Sequence, residues 1–129
     1  MESTLATRPS VYVVEDSDEI RHRLVSLLEE HDGIKVVGEA ISSGAAIEGI
    51  LKSHPTAVVL DLHLNASSGL DVLRAVHPVA PQIVFIVLTG HADDYYRKVC
   101  MDLGASHFLD KGTDFEIVGP IIAGLESSY

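Results

Sequence analysis

Thr56-Ala57-Val58-Val59-Leu60-Asp61 is the stretch on which the fold turns, an apolar run with no polar alternation that ends abruptly on a carboxylate. Without alternation, the run predicts a strand buried on both faces, as in a parallel sheet covered by helices. The same design recurs on either side. Val11-Tyr12-Val13-Val14 runs into Glu15-Asp16, Ile83-Val84-Phe85-Ile86-Val87-Leu88 into Thr89, and His107-Phe108-Leu109 comes just before Lys111. Ile34 to Ala40 reads as one more strand. Helix-like segments follow each, so the expectation is an α/β fold: a doubly wound (βα)5 sandwich on a five-stranded parallel sheet. The carboxyl ends of such strands share one edge, which would bring Glu15, Asp16, Asp61, Thr89 and Lys111 together.

The helices are bounded by ordinary signals. The first opens at Ser17-Asp18, carries Ile20, Leu24, Leu27 and Leu28 on one stripe, and is expected to stop near Gly33. The second is expected over 43–52, and a short third one from Gly69 through Leu70, Leu73 and Val76, ended by Pro78. Between Asp61 and Gly69 the loop from His63 to Ser68 is long enough to wrap a ligand. The fourth helix is expected over 92–103, closed by Gly104 in the left-handed conformation. The last begins near Thr113-Asp114 with Ile117, Val118, Ile121, Ile122 and Leu125 inward. Pro120 then demands a kink near Gly119 or a later start.

Bulk properties narrow the function. A chain of 129 residues with 47% hydrophobic and 22% charged residues fits one domain spanning 1–129, its core over about 11–125, with the polar, Ser-containing chain ends as the disorder candidates. The single Cys100 forms no internal disulfide, no apolar run approaches a membrane span, and the first ten residues lack the pattern of a secretory leader. The expected location is cytoplasmic. A formal net charge of −10 with no cluster of Lys or Arg opposes direct nucleic-acid binding and leaves proteins as the expected partners.

Three carboxylates at one edge repel unless a cation joins them. Mg²⁺ suits oxygen ligands, with Asp16 and Asp61 expected to bind directly, Glu15 through water, and the backbone carbonyl of His63 as a further ligand. Charges of about −3 from the carboxylates are then balanced by +2 from the ion and +1 from Lys111. An attacking Asp61 carboxylate would find the other phosphoryl oxygens met by Lys111 and the Thr89 hydroxyl.

These residues resemble the bacterial response-regulator receiver domain, the CheY-like phosphoacceptor module. The resemblance rests on Glu15-Asp16, on Leu60-Asp61-Leu62 with Gly69 following, on Leu88-Thr89-Gly90, and on Gly104-Ala105-Ser106-His107-Phe108-Leu109-Asp110-Lys111. It implies a flavodoxin-like sheet of order 2-1-3-4-5, an order inherited from the family and not read from spacing. It also implies phosphotransfer to Asp61, with Mg²⁺, from a sensor histidine kinase or histidine phosphotransfer protein. Thr89 and Phe108 would form the family's switch, remodelling a protein-binding face near Tyr95, Tyr96, Cys100 and His107 and allowing a phosphorylation-dependent dimer. His63 and His91 fall where the family tunes phosphoryl lifetime. The chain departs from the family at Glu15 for the commoner Asp, Asn65 for a frequent Pro, and Gly112 for the Pro that often follows the lysine.

With no output segment after Leu125, the expected role is a stand-alone regulator or a phosphorelay intermediate that is not an enzyme beyond its own phosphorylation and dephosphorylation. The alternative is a small aspartyl-phosphate phosphohydrolase, which usually places a second Asp two residues after the nucleophile; His63 stands there. A flavodoxin-like cofactor binder needs a phosphate-cradling loop after the first strand, and Glu15-Asp16-Ser17-Asp18-Glu19 would repel phosphate.

Overall fold

The computed structural model describes residues 8–125; the polar chain ends read as disorder candidates lie outside them. Five strands, β1 (Ser10–Val14), β2 (Lys35–Ala40), β3 (Ala57–Leu60), β4 (Val84–Thr89) and β5 (His107–Asp110), pair in parallel in the order 2-1-3-4-5. After β2 the chain crosses back over β1 to lay down β3 on its other side. That reversal opens a crevice at the carboxyl ends of β1 and β3, the usual ligand position in open α/β sheets.

The absence of alternation in the strands has its reason in two cores. Val11, Val13, Ala57, Val59, Ile86, Leu88 and Leu109 face α1 (Asp18–Glu29) and α5 (Val118–Ala123), where Leu24, Leu28, Val118 and Ile122 complete one buried cluster. Tyr12, Val14, Val58, Leu60, Phe85, Val87 and Phe108 face α2 (Ser43–Ser53), α3 (Gly69–Val76) and α4 (Asp94–Asp102), with Ala46, Ile50, Val72, Leu73, Val76 and Cys100. Successive residues therefore serve opposite layers, and both must be apolar. The Tyr12 ring lies in a slot cleared by Gly38 of β2 and Gly49 of α2, since a Cβ at either glycine would collide with it.

Side-chain caps set the helix starts. Ser17, Ser42, Ser68 and Asp93 each accept a hydrogen bond from a first-turn N–H of α1, α2, α3 and α4 respectively. So α4 begins after Asp93, not at Ala92, and α1 ends at Glu29, short of Gly33, which turns the chain at φ +97°. Gly104 closes α4 at φ +110°, as expected, with the His77 ring where a side chain would stand. The last helix resolves the problem of Pro120 by starting late. A 3₁₀ turn (Phe115–Ile117) precedes α5, which places Pro120 in the first turn, where a missing N–H costs no intrahelical bond. That offset turns Ile117 outward, 46% exposed, and Phe115 packs into the core instead.

Candidate functional site

Backbone bonds carry the sheet one residue past the strand ends and place the predicted edge residues. Glu15 N–H donates to the Ala40 carbonyl, Asp61 N–H to Val14 and Lys111 N–H to Thr89, each at 3.0 Å. Glu15 and Asp61 are 3% and 5% exposed, Thr89 is fully buried and Asp16 is half-buried. Carboxylate oxygens of Glu15, Asp16 and Asp61 all lie within 4.8 Å of one another. The Lys111 ammonium stands between two of them, 2.7 Å from Glu15 Oε1 and 3.1 Å from Asp61 Oδ2. Glu15, Asp16, Asp61 and Lys111 are thus gathered, with Thr89 joined to them through the bond from Lys111 N–H to its carbonyl, and three converging oxygen donors with a net negative charge fit a small hard cation.

Burial raises the Glu15 carboxyl above its ordinary range; Lys111 and the Ser17 N–H pull it down in part, and Asp61 pushes it up again. Burial lowers the Lys111 ammonium, but its bonds and charge interactions with Glu15 and Asp61 outweigh that and hold it above the ordinary lysine range. A raised carboxyl favours the protonated fold. Its contribution to stability is full below the unfolded carboxylate range and is lost as pH rises through the higher folded value. Urea midpoints measured against pH without divalent cation are expected to fall across that window, and Glu15→Gln to flatten the fall; an unchanged profile in Glu15→Gln would remove Glu15 as the cause.

The loop after Asp61 is folded on itself rather than open. His63 and Ser68 form an antiparallel bridge, Leu64 N–H donates to the Ser67 carbonyl at 3.2 Å, and Leu62 and Leu64 are buried. Gly69 N–H donates to the Leu62 carbonyl at 2.9 Å, and a Cβ on Gly69 would run into the Asp61 carbonyl. A glycine eight positions beyond the aspartate is therefore a matter of space. His63 N–H reaches Asp61 Oδ1 at 3.4 Å.

Thr89 Oγ1 accepts from His91 N–H at 3.1 Å, and among the described residues its hydroxyl has no acceptor of its own. The rings of His63 and His91 meet edge to face at 4.1 Å, and Tyr96 lies 5.3 Å from His63. Phe108 is buried in the helical layer of α2, α3 and α4, with the Arg97 guanidinium 5.1 Å from its ring centroid. It pairs with Val87, two residues before Thr89, so Phe108 and Thr89 share a sheet face. Cys100, in the same cluster as Phe108, is fully buried, and burial pushes its thiol up to about 11.

One residue that sequence reasoning passed over is Arg21. Its guanidinium donates to the Glu15 carbonyl at 3.0 Å, to Asp18 at 2.6 Å and to Glu39 at 3.1 Å, tying the acidic loop to α1 and β2. The contact to the loop is to a backbone atom, so no residue pattern announces it. An i, i+3 pairing with Asp18 was the only visible hint.

Residues 11–119 match the model of the response regulator receiver domain family. The chain is 36% identical over 103 residues to the protein-glutamate methylesterase/protein-glutamine glutaminase of Alkalilimnicola ehrlichii, covering 77% of this chain and 26% of that protein. It is 31% identical over 119 residues to the transcriptional regulatory protein FixJ of Azorhizobium caulinodans, covering 92% and 56%. The chain thus spans from about a quarter to a little over half of these relatives' length. Among solved structures, the signal receiver domain of the response regulator NarL from Mycobacterium tuberculosis superposes with a TM-score of 0.81 at 27% identity, over 88% of this chain and 93% of that one. Because the family match runs through all five strands and takes in each residue gathered at the sheet edge, the chain belongs to the receiver-domain family of two-component response regulators.

Proposed function

We propose that Asp61 accepts a phosphoryl group from a phosphohistidine on a sensor kinase or phosphotransfer protein. The observation that carries this reading is a buried Asp61 carboxylate held 3.1 Å from a lysine ammonium, with two further carboxylates within 4.8 Å. An Asp61 oxygen attacks phosphorus in line; the O–P bond forms as the P–N bond breaks, and the donor imidazole keeps the electron pair. Asp16 and Asp61 would ligate Mg²⁺ directly, Glu15 through water, and the His63 backbone carbonyl would be a further ligand. The bound ion supplies positive charge that offsets the carboxylates and the incoming phosphoryl group. Lys111 holds a second phosphoryl oxygen and the Thr89 hydroxyl donates to a third.

On this reading Thr89 gives up its bond with His91 N–H as it turns to the phosphoryl oxygen, and Phe108, on the same sheet face, responds to the vacated space. The paired imidazoles of His63 and His91 flank the acyl phosphate and govern water access. The chain catalyses its own phosphorylation and dephosphorylation and acts by protein contact, as a regulator or a relay.

The test is incubation with a phosphohistidine-bearing donor domain. Label should move to this protein only with Mg²⁺ present, and the half-life of the labelled protein should change in His63→Ala and His91→Ala. Transfer that persists in excess chelator would sink the metal-assisted mechanism. Affinity capture with protein loaded with beryllofluoride separates the two uses: a target retained only in the loaded state marks a regulator, and phosphotransfer proteins retained in both states mark a relay.

A further inference from the structure

Lys111 is delivered by a short segment whose next residue is Gly112, which carries no side chain to restrict the backbone. Two carboxylates restrict it instead. Asp110 Oδ1 accepts from the N–H groups of Gly112 and Thr113 at 2.6 and 3.3 Å. Asp114 Oδ2 accepts from Asp110 N–H at 2.9 Å, and Asp114 N–H returns to the Asp110 carbonyl at 2.8 Å. Since Lys111 N–H donates to the Thr89 carbonyl, every backbone N–H from Asp110 to Asp114 has an acceptor. Phe115 then anchors the segment in the core beneath the Arg23 guanidinium, 4.4 Å from its ring centroid.

We propose that Asp110 and Asp114 are positioning residues for phosphoryl binding, a pair of carboxylates that brackets Lys111 and fixes where its ammonium stands. The proposal rests on the phosphoacceptor reading of Asp61. Neither side chain touches the phosphoryl group; both act by holding the backbone on the two sides of the lysine. A long, flexible lysine stem reaches the same point each time only if its Cα is fixed, and a small displacement of such a group weakens the contact steeply.

The experiment compares Asp110→Ala, Asp114→Ala and the matching Asn variants, which keep an acceptor oxygen. Three quantities are measured on each: the urea midpoint, affinity for Mg²⁺ alone, and affinity for beryllofluoride in saturating Mg²⁺. Lys111 contributes to the last and not to ligation of the ion. The Ala variants are expected to bind beryllofluoride about tenfold more weakly, with Mg²⁺ affinity unchanged and with recovery in Asn. Should one Ala variant fail to fold, the other carries the same expectation. Wild-type beryllofluoride affinity in a folded Ala variant would reduce the pair to turn formers and overturn the proposal, as would a parallel loss of Mg²⁺ and beryllofluoride binding. Wild-type protein that bound no beryllofluoride would overturn the phosphoacceptor reading itself.

Discussion

Asp61→Asn protein is expected to take up no phosphoryl label from a small acyl-phosphate donor in Mg²⁺, a loss of roughly a thousandfold or more. Asn keeps the shape of the side chain and an oxygen for the Lys111 ammonium, now 3.1 Å away. It lacks the anionic nucleophile, because the amide lone pair is delocalised and the oxygen carries no full charge. Unlike most substitutions at a buried polar site, this one should not weaken the fold. Asp61 adds to the repulsion that raises Glu15, so removing its charge relieves a strain between buried carboxylates. Intact-mass spectrometry reads the label and a urea titration reads the stability. A labelled Asn variant would falsify the central assignment; an unlabelled but unfolded one would show that the charge is needed for structure.

Lys111→Ala should do the opposite to stability. Glu15 and Asp61 are almost wholly buried, and the ammonium is their shared cationic partner among the described residues. Breaking such a pair leaves uncompensated charge; with Lys111 retaining some contact with water, a loss of about 2–3 kcal/mol is expected in the absence of divalent cation. Added Mg²⁺ should restore most of that, because it supplies the missing positive charge to the same oxygens. Phosphorylation should stay about a hundredfold slow even then, since the second phosphoryl oxygen has lost its donor. Stability that Mg²⁺ fails to restore would mean that the ion does not bind among these carboxylates.

The contrast between these variants depends on which groups are close, and the sequence spoke unevenly about that. The uniform apolar runs ending at Val14, Leu60 and Leu88 declared strands buried on two faces, because each face of the sheet carries its own core. They also pointed to the edge where Glu15, Asp16, Asp61 and Lys111 come together, since residues just past the carboxyl ends of parallel strands meet at one edge. The order in which those strands pair came from family resemblance, because hydrophobic patterning does not encode which neighbour a strand takes. The late start of α5 stood as one of two outcomes allowed by Pro120, and the consequence that Phe115 replaces Ile117 in the core was hidden until the offset was known.

By itself, then, the sequence determined the class of fold and the sheet edge along which Glu15, Asp16, Asp61, Thr89 and Lys111 fall. Those are properties of side-chain type and strand periodicity, which local patterning records. Tertiary structure alone decided that Arg21 grips the Glu15 carbonyl, that Gly38 and Gly49 make room for Tyr12, that Gly69 lies against the Asp61 backbone, and that Asp110 and Asp114 bracket the lysine. Each of these is a bond to a backbone atom or an empty volume between elements. Backbone atoms are the same for every residue and empty volume has no letter in the sequence, so such contacts exist only once the chain is packed.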